Sequence, residues 1–172
     1  MILRFGECTA EIDADATRRW YAAHPLVNDC GCGGCENFRR WTASPHCDPR
    51  IRETLAALGL DSPDLVAELI PWDTTAEQYA AHGGNRYGGF YHVIGAVKDG
   101  ADLLEAAKNP QFSPERFSLR ITDQFALFLY YHTNQAELLP DGFPRPVLQI
   151  EIDAYIPWLL ESPNEYLITN GG

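Results

Sequence analysis

The chain has 172 residues, is 45% hydrophobic and 22% charged, and carries a formal charge of −11, which gives it the length and apolar content of one folded domain and argues against a disordered tail. Residues 1–60 hold seven Arg against eight Asp and Glu, whereas 61–172 hold six Lys and Arg against sixteen acids; such a surface repels phosphate backbones and anionic lipid, and leaves a basic protein as the expected partner. The opening MILRFGECTAEID has no secretory leader features and no apolar run reaches the roughly 18 residues of a membrane span, so a cytoplasmic protein is expected, whose five cysteines are thiols or metal ligands rather than a disulfide framework.

Residues 2–12 read as a strand, after which DADATRRWYAAH switches to helical spacing, with Asp13 or Asp15 as the cap and Pro25 beyond the end. A cysteine loop follows. ENFRRWTA is again helical, with Phe38 and Trp41 on one face. SPHCDP breaks the chain, and PRIRETLAALGL predicts an amphipathic helix from Pro49 to Gly59. LVAELIPW fits a strand or a short helix, and DLLEAAKNPQFSPE begins as a helix and runs into a loop. GGFYHVIGAV, RFSLRIT, FALFLYYHT and PVLQIEIDAYI have the period and composition of strands. Two of these alternate cleanly: Phe117, Leu119 and Ile121 oppose Ser118, Arg120 and Thr122, while Leu148, Ile150 and Ile152 oppose Gln149, Glu151 and Asp153. Alternation of that kind marks an antiparallel sheet with one buried and one wet face.

The chemistry concentrates in VNDCGCGGCENF, residues 27–38, where Cys30, Cys32 and Cys35 fall within six positions among Gly31, Gly33 and Gly34. Three soft ligands brought to a point suit zinc, which takes four tetrahedral ligands and favours thiolate and imidazole. Cys47 is the expected fourth ligand, with His46 beside it and His24 upstream as alternatives. A second reading makes Cys32 and Cys35 a thiol–disulfide pair, with Cys32 attacking from a helix start that lowers its pKa and Cys35 resolving. Cys8 reads as a core residue.

His92 lies among aromatics, where a histidine is ordinarily hydrogen-bonded and structural. The alternative pairs it with His132 and an acid such as Glu151 or Asp153, as a general base or metal pair in a small enzyme. The wet face bearing Gln149, Glu151 and Asp153 offers a surface for a ligand or partner. No Walker loop, nucleophile elbow, His-Glu-x-x-His or strand-preceded dinucleotide fingerprint occurs in the sequence.

TRRWYAAHP, DCGCGGCENF, LAALGLD, YGGFYHVIG and LPDGFPRPVLQIEIDAYIPWLL together resemble a group of uncharacterised bacterial proteins with a cysteine motif followed by Asn37 and an aromatic, and a later Gly-Gly-aromatic-Tyr-His strand. The resemblance implies an α+β domain and no activity. The expectation is therefore a single α+β domain over 1–172, in which a helical, cysteine-bearing segment (1–60) packs on an antiparallel sheet of about five to six strands (61–172). Its expected role is that of a zinc-binding, non-enzymatic binding or regulatory module, of inhibitor or immunity type.

Overall fold

The computed structural model describes residues 1–24, 30–100, 113–132 and 136–168, with the backbone alone at 114 and 130–132. The helix-like start predicted from residue 102 lies outside the described residues.

The chain opens with a hairpin of Ile2–Phe5 (β1) and Cys8–Ile12 (β2). It turns at Gly6, whose φ of +55° suits glycine and whose missing Cβ leaves room for the Arg116 carbonyl. Three helices follow: Ala14–Ala23 (α1), Gly33–Ala43 (α2) and Pro49–Ala57 (α3). The Asp13 carboxylate accepts from the Ala16 N–H to cap α1, and Asp48 accepts from Arg50 to cap α3. Both oxygens satisfy amides that have no partner within the helix.

The ambiguous LVAELIPW is a strand, Glu68–Pro71 (β3), followed by the short Thr74–Thr75 (β4). Next comes a helix that the sequence reading did not anticipate, Ala76–His82 (α4). The helices are therefore not confined to the amino-terminal segment. The strands Asn85–Asp99 (β5), Ser118–Thr122 (β6), Phe125–His132 (β7) and Val147–Ile156 (β8) follow, and Leu167–Ile168 (β9) pairs in parallel with β4.

The main sheet has seven strands among the described residues, in the order β1-β2-β5-β8-β7-β6, with β3 also on β5. All its pairings are antiparallel. This is an α+β fold. The fifteen-residue β5 is its spine, pairing with β3 over Tyr87–Phe90 and with β2 over Gly95–Asp99 on one edge. Between those two partners the edge would be bare, and α1 fills it: the Tyr21 hydroxyl donates to the His92 carbonyl (3.0 Å), and the Ile94 N–H donates to Thr17 Oγ1 (2.9 Å). Buried backbone polar groups left without partners are costly, so α1 completes the sheet as well as covering it.

One face of the sheet is dry. Tyr87, Tyr91, Leu127, Leu129, Ile150 and Ile152 are all buried there, and α2 meets them with Phe38 against Tyr87 and Trp41 stacked on Phe125, both at 6.2 Å between ring centroids. Ile51 and Leu55 of α3 join the same core. Each such side chain contributes about 1.5–3 kcal/mol on burial. The other face carries Glu151 and Asp153, as the alternation predicts, but Gln149 on that side is fully buried. Its Oε1 accepts the Glu137 N–H at 2.7 Å, so the connection after β7 folds over that end of the face.

Candidate metal centre

The glycine-rich loop ends where α2 begins. Cys32 is its N-cap, with the Sγ accepting the Cys35 N–H at 3.4 Å. A sulfur there sits at the positive end of the helix, among amides with no intrahelical acceptor. The Cys30 thiol donates to Cys32 Sγ at 3.2 Å, and Arg39, two turns along α2, donates to the Cys30 carbonyl at 3.0 Å and holds the loop back on the helix. The Sγ atoms of Cys30, Cys32 and Cys35 all lie within 4.8 Å of one another. Zinc–sulfur bonds of about 2.3 Å in a tetrahedron need separations of that order or less, so the three sulfurs can share one ion.

Exposure is graded across the cluster: Cys30 is exposed, Cys32 half-buried and Cys35 buried. Burial works against the Cys32 thiolate, but the Cys35 N–H and hydrogen bonds from the Cys30, Cys35 and Tyr166 side chains outweigh it and bring the thiol down to about 7. Burial, together with donation to its two neighbours, pushes Cys35 above the ordinary thiol range. One sulfur is thus prepared as an anion while its neighbours donate to it. A cation would replace those donated protons and let all three ionise.

A carboxyl-terminal arm closes over the site. A Cβ on Gly33 would lie 2.9 Å from Glu165 Oε1 and 3.2 Å from the Trp158 ring, and one on Gly34 would lie 2.3 Å from Pro71. These glycines let the arm and β3 approach the helix start closely, and the Tyr166 hydroxyl reaches Cys32. Asn37 ties the arm down from the next turn of α2. Its Nδ2 donates to Tyr87 Oη and to the Pro157 carbonyl, both at 3.1 Å, and its Oδ1 accepts the Leu159 N–H at 2.7 Å. Asn37 is fully buried. The motif Cys-x-x-Cys-x-Asn therefore places the sulfurs at the mouth and the amide one turn deeper.

No family model, curated protein or solved structure matches the chain. What the centre can do rests on its own geometry.

Among the described residues, the group close enough to share an ion consists of Cys30, Cys32 and Cys35. The expected fourth ligand, Cys47, stands apart. The eleven residues of α2 carry the chain about 16 Å along its axis at 1.5 Å per residue, and Cys47 follows the far end, buried in the core with its thiol directed at the Asp48 carbonyl (3.8 Å). A helix longer than the eight residues read from the sequence carries it away. His46, on that same turn, borders a surface hollow with Trp41 and Gln124. His24 donates from Nδ1 to the Trp20 carbonyl at 2.9 Å and stacks on the Trp20 ring at 4.6 Å. Residues 27–29 of the motif lie outside the described residues.

His92 is buried, its Nε2 donating to the Glu137 carbonyl at 2.8 Å, and its Nδ1 has no hydrogen-bond partner among the described residues. Burial lowers its pKa, and the Glu137 bond offsets this only in part. It pairs across the sheet with Gln149, whereas His132 pairs with Leu148; the His132 side chain lies outside the described residues. Sequence reasoning missed Tyr166 and Glu165, because no spacing rule links residues more than a hundred positions apart. Asn37 stands within the motif, but its tie to the arm is made with Pro157 and Leu159, too distant in sequence for spacing to reveal.

Proposed function

We propose that the chain is a zinc-stabilised, non-enzymatic binding module in which Cys30, Cys32 and Cys35 hold the ion and the ion locks the start of α2 against the carboxyl-terminal arm. The observation that carries this reading is the convergence of three Sγ atoms within 4.8 Å on glycine-rich backbone. Zinc suits the donor set because it prefers thiolate and supplies cross-linking without redox chemistry. The work of the module then falls to its acidic surface and a basic partner, in a reducing compartment that keeps the thiols available. Protein purified without chelator and analysed for metal is expected to carry about one zinc per chain, and Cys35→Ser is expected to lose it. A cooperatively folded wild-type protein with no bound metal defeats the reading.

The N-cap position of Cys32 favours one second reading, thiol–disulfide exchange. In it the Cys32 thiolate attacks oxidised glutathione and releases one glutathione thiol; Cys35, losing its proton, displaces the second and leaves a Cys32–Cys35 disulfide. The two thiols lose two electrons and the glutathione disulfide gains them. Release of two glutathione thiols per metal-free chain supports that reading, and mixed disulfides that never resolve count against it.

A further inference from the structure

The wet face of the sheet is hollowed into an open groove of about 440 Å³ between β3 and β8. Its walls combine two chemistries. Trp72 and Ile70 stand exposed at its rim (44% and 42%), with Phe90 beneath. Glu68 stands beside Ile70 on β3, and the carboxylates of Glu137 and Glu151 line the groove with it. None of the ion pairs among the described residues uses any of these three acids; the one pair within the groove joins Arg86 to Asp153.

Glu151 is the deepest of the three. Gln149 Nε2 donates to its Oε1 at 2.9 Å, and burial, with Glu137 and Glu68 nearby, raises its pKa. The approach of Glu137 is fixed at both backbone atoms, its N–H on Gln149 and its carbonyl on His92. His92, which holds the Glu137 carbonyl, keeps a buried Nδ1 with no hydrogen-bond partner among the described residues. The fold thus gathers these carboxylates, and among the described residues no cation is paired with any of the three. Arg86 lines the same groove, but Asp153 holds it at 2.9 and 3.1 Å while its guanidinium lies 4.7 Å from the Trp72 ring centroid. That internal contact shows what the groove accommodates: a planar cation forked onto carboxylate and stacked on indole.

We infer that this groove docks an arginine-bearing segment of a basic partner protein, with the guanidinium among Glu68, Glu137 and Glu151 and its alkyl stem on Trp72 and Phe90. The inference deepens the binding-module reading and is independent of the metal. Charge complementarity selects the cation, and the forked geometry favours arginine over lysine. The openness of the groove and its rim of exposed Trp and Ile favour a side chain presented on a protein surface, since aromatic anchors beside desolvated charge are the anatomy of protein interfaces.

The test is fluorescence anisotropy with a labelled peptide, Gly-Arg-Gly-Arg-Leu-Arg, at low salt. Glu68→Gln and Glu151→Gln are each expected to weaken binding about tenfold, the loss of one charged partner, and Trp72→Ala by a similar factor, with the lysine counterpart of the peptide weaker throughout. The exposed acids Glu53 and Glu161, away from the groove, serve as controls; E53Q and E161Q are expected to leave affinity within about twofold, the range of a surface charge. Glu68 is exposed on an edge strand, so its substitution leaves the fold intact and keeps the test decisive if E151Q perturbs folding. Absence of peptide binding, equal losses in groove and control variants, or agmatine binding as tightly as the peptide each overturns the inference. Metal content measured in parallel separates the two claims, since peptide binding by a metal-free, folded chain faults only the zinc reading.

Discussion

Cys32 differs from the other cysteines in what approaches it: an amide from its own helix, two thiols and the Tyr166 hydroxyl. In metal-free protein its alkylation is therefore expected to be half-maximal near pH 7, and Tyr166→Phe to move that midpoint upward, because one donor to the thiolate is gone; a thiol-specific reagent with mass-spectrometric site assignment reads both. Asn37 is the second exceptional residue. Asn37→Ala leaves the Leu159 N–H and the Pro157 carbonyl without the partner that Asn37 supplies, at about 1–3 kcal/mol for each such buried group, and should lower stability in urea by about 2–6 kcal/mol. His92 has a pH signature. Its folded pKa lies below the unfolded value near 6.5, so below that value the unfolded chain binds the extra proton and stability is lost as pH falls. His92→Gln is expected to remove that part of the acid sensitivity; a variant with an unchanged pH–stability slope between about 7 and 5 would refute it.

At the scale of elements, α2 was legible and α4 was not. Phe38 and Trp41 announce a buried helical face, and they do pack on Tyr87 and Phe125. Ala76–His82 has no buried residue and therefore no apolar stripe to read. It is specified at its ends instead, by a capping box in which Thr75 accepts from the Gln78 N–H and Gln78 returns the bond, and by left-handed Gly83 at the carboxyl end. Thr75→Ala should cost about 0.5–2 kcal/mol, measured by thermal or urea unfolding, with the damage local to β4, β9 and the arm. The strands were legible by period, and β3 became a strand because β5 offers it an open edge, a fact of pairing that no local window contains. The cysteine cluster was legible because its ligands are neighbours in sequence, whereas its cover was not, since the arm arrives only when β8 has crossed the sheet.

Across the whole molecule, the two faces of one sheet divide the labour. The dry face, packed by α2 and α3, holds the centre at the start of α2 in place, while the wet face keeps its acids gathered in an open groove. Part of the excess acid of residues 61–172 falls in that groove, as Glu68, Glu137, Glu151 and Asp153 line it. What charge counting could not show was the aromatic wall beside them, or that Arg86 is already spoken for. No helix among the described residues is long and apolar enough to cross a membrane.

If the ion is the clasp between α2 and the arm, its removal should loosen the arm before it unfolds the sheet. The most direct measurement is metal stoichiometry by inductively coupled plasma mass spectrometry on chelator-free protein, followed by thermal unfolding with and without a strong chelator. One zinc per chain and a clear drop in unfolding temperature on chelation are expected, both abolished by Cys32→Ser. A metal-free protein whose unfolding is untouched by chelator or by added zinc contradicts the account.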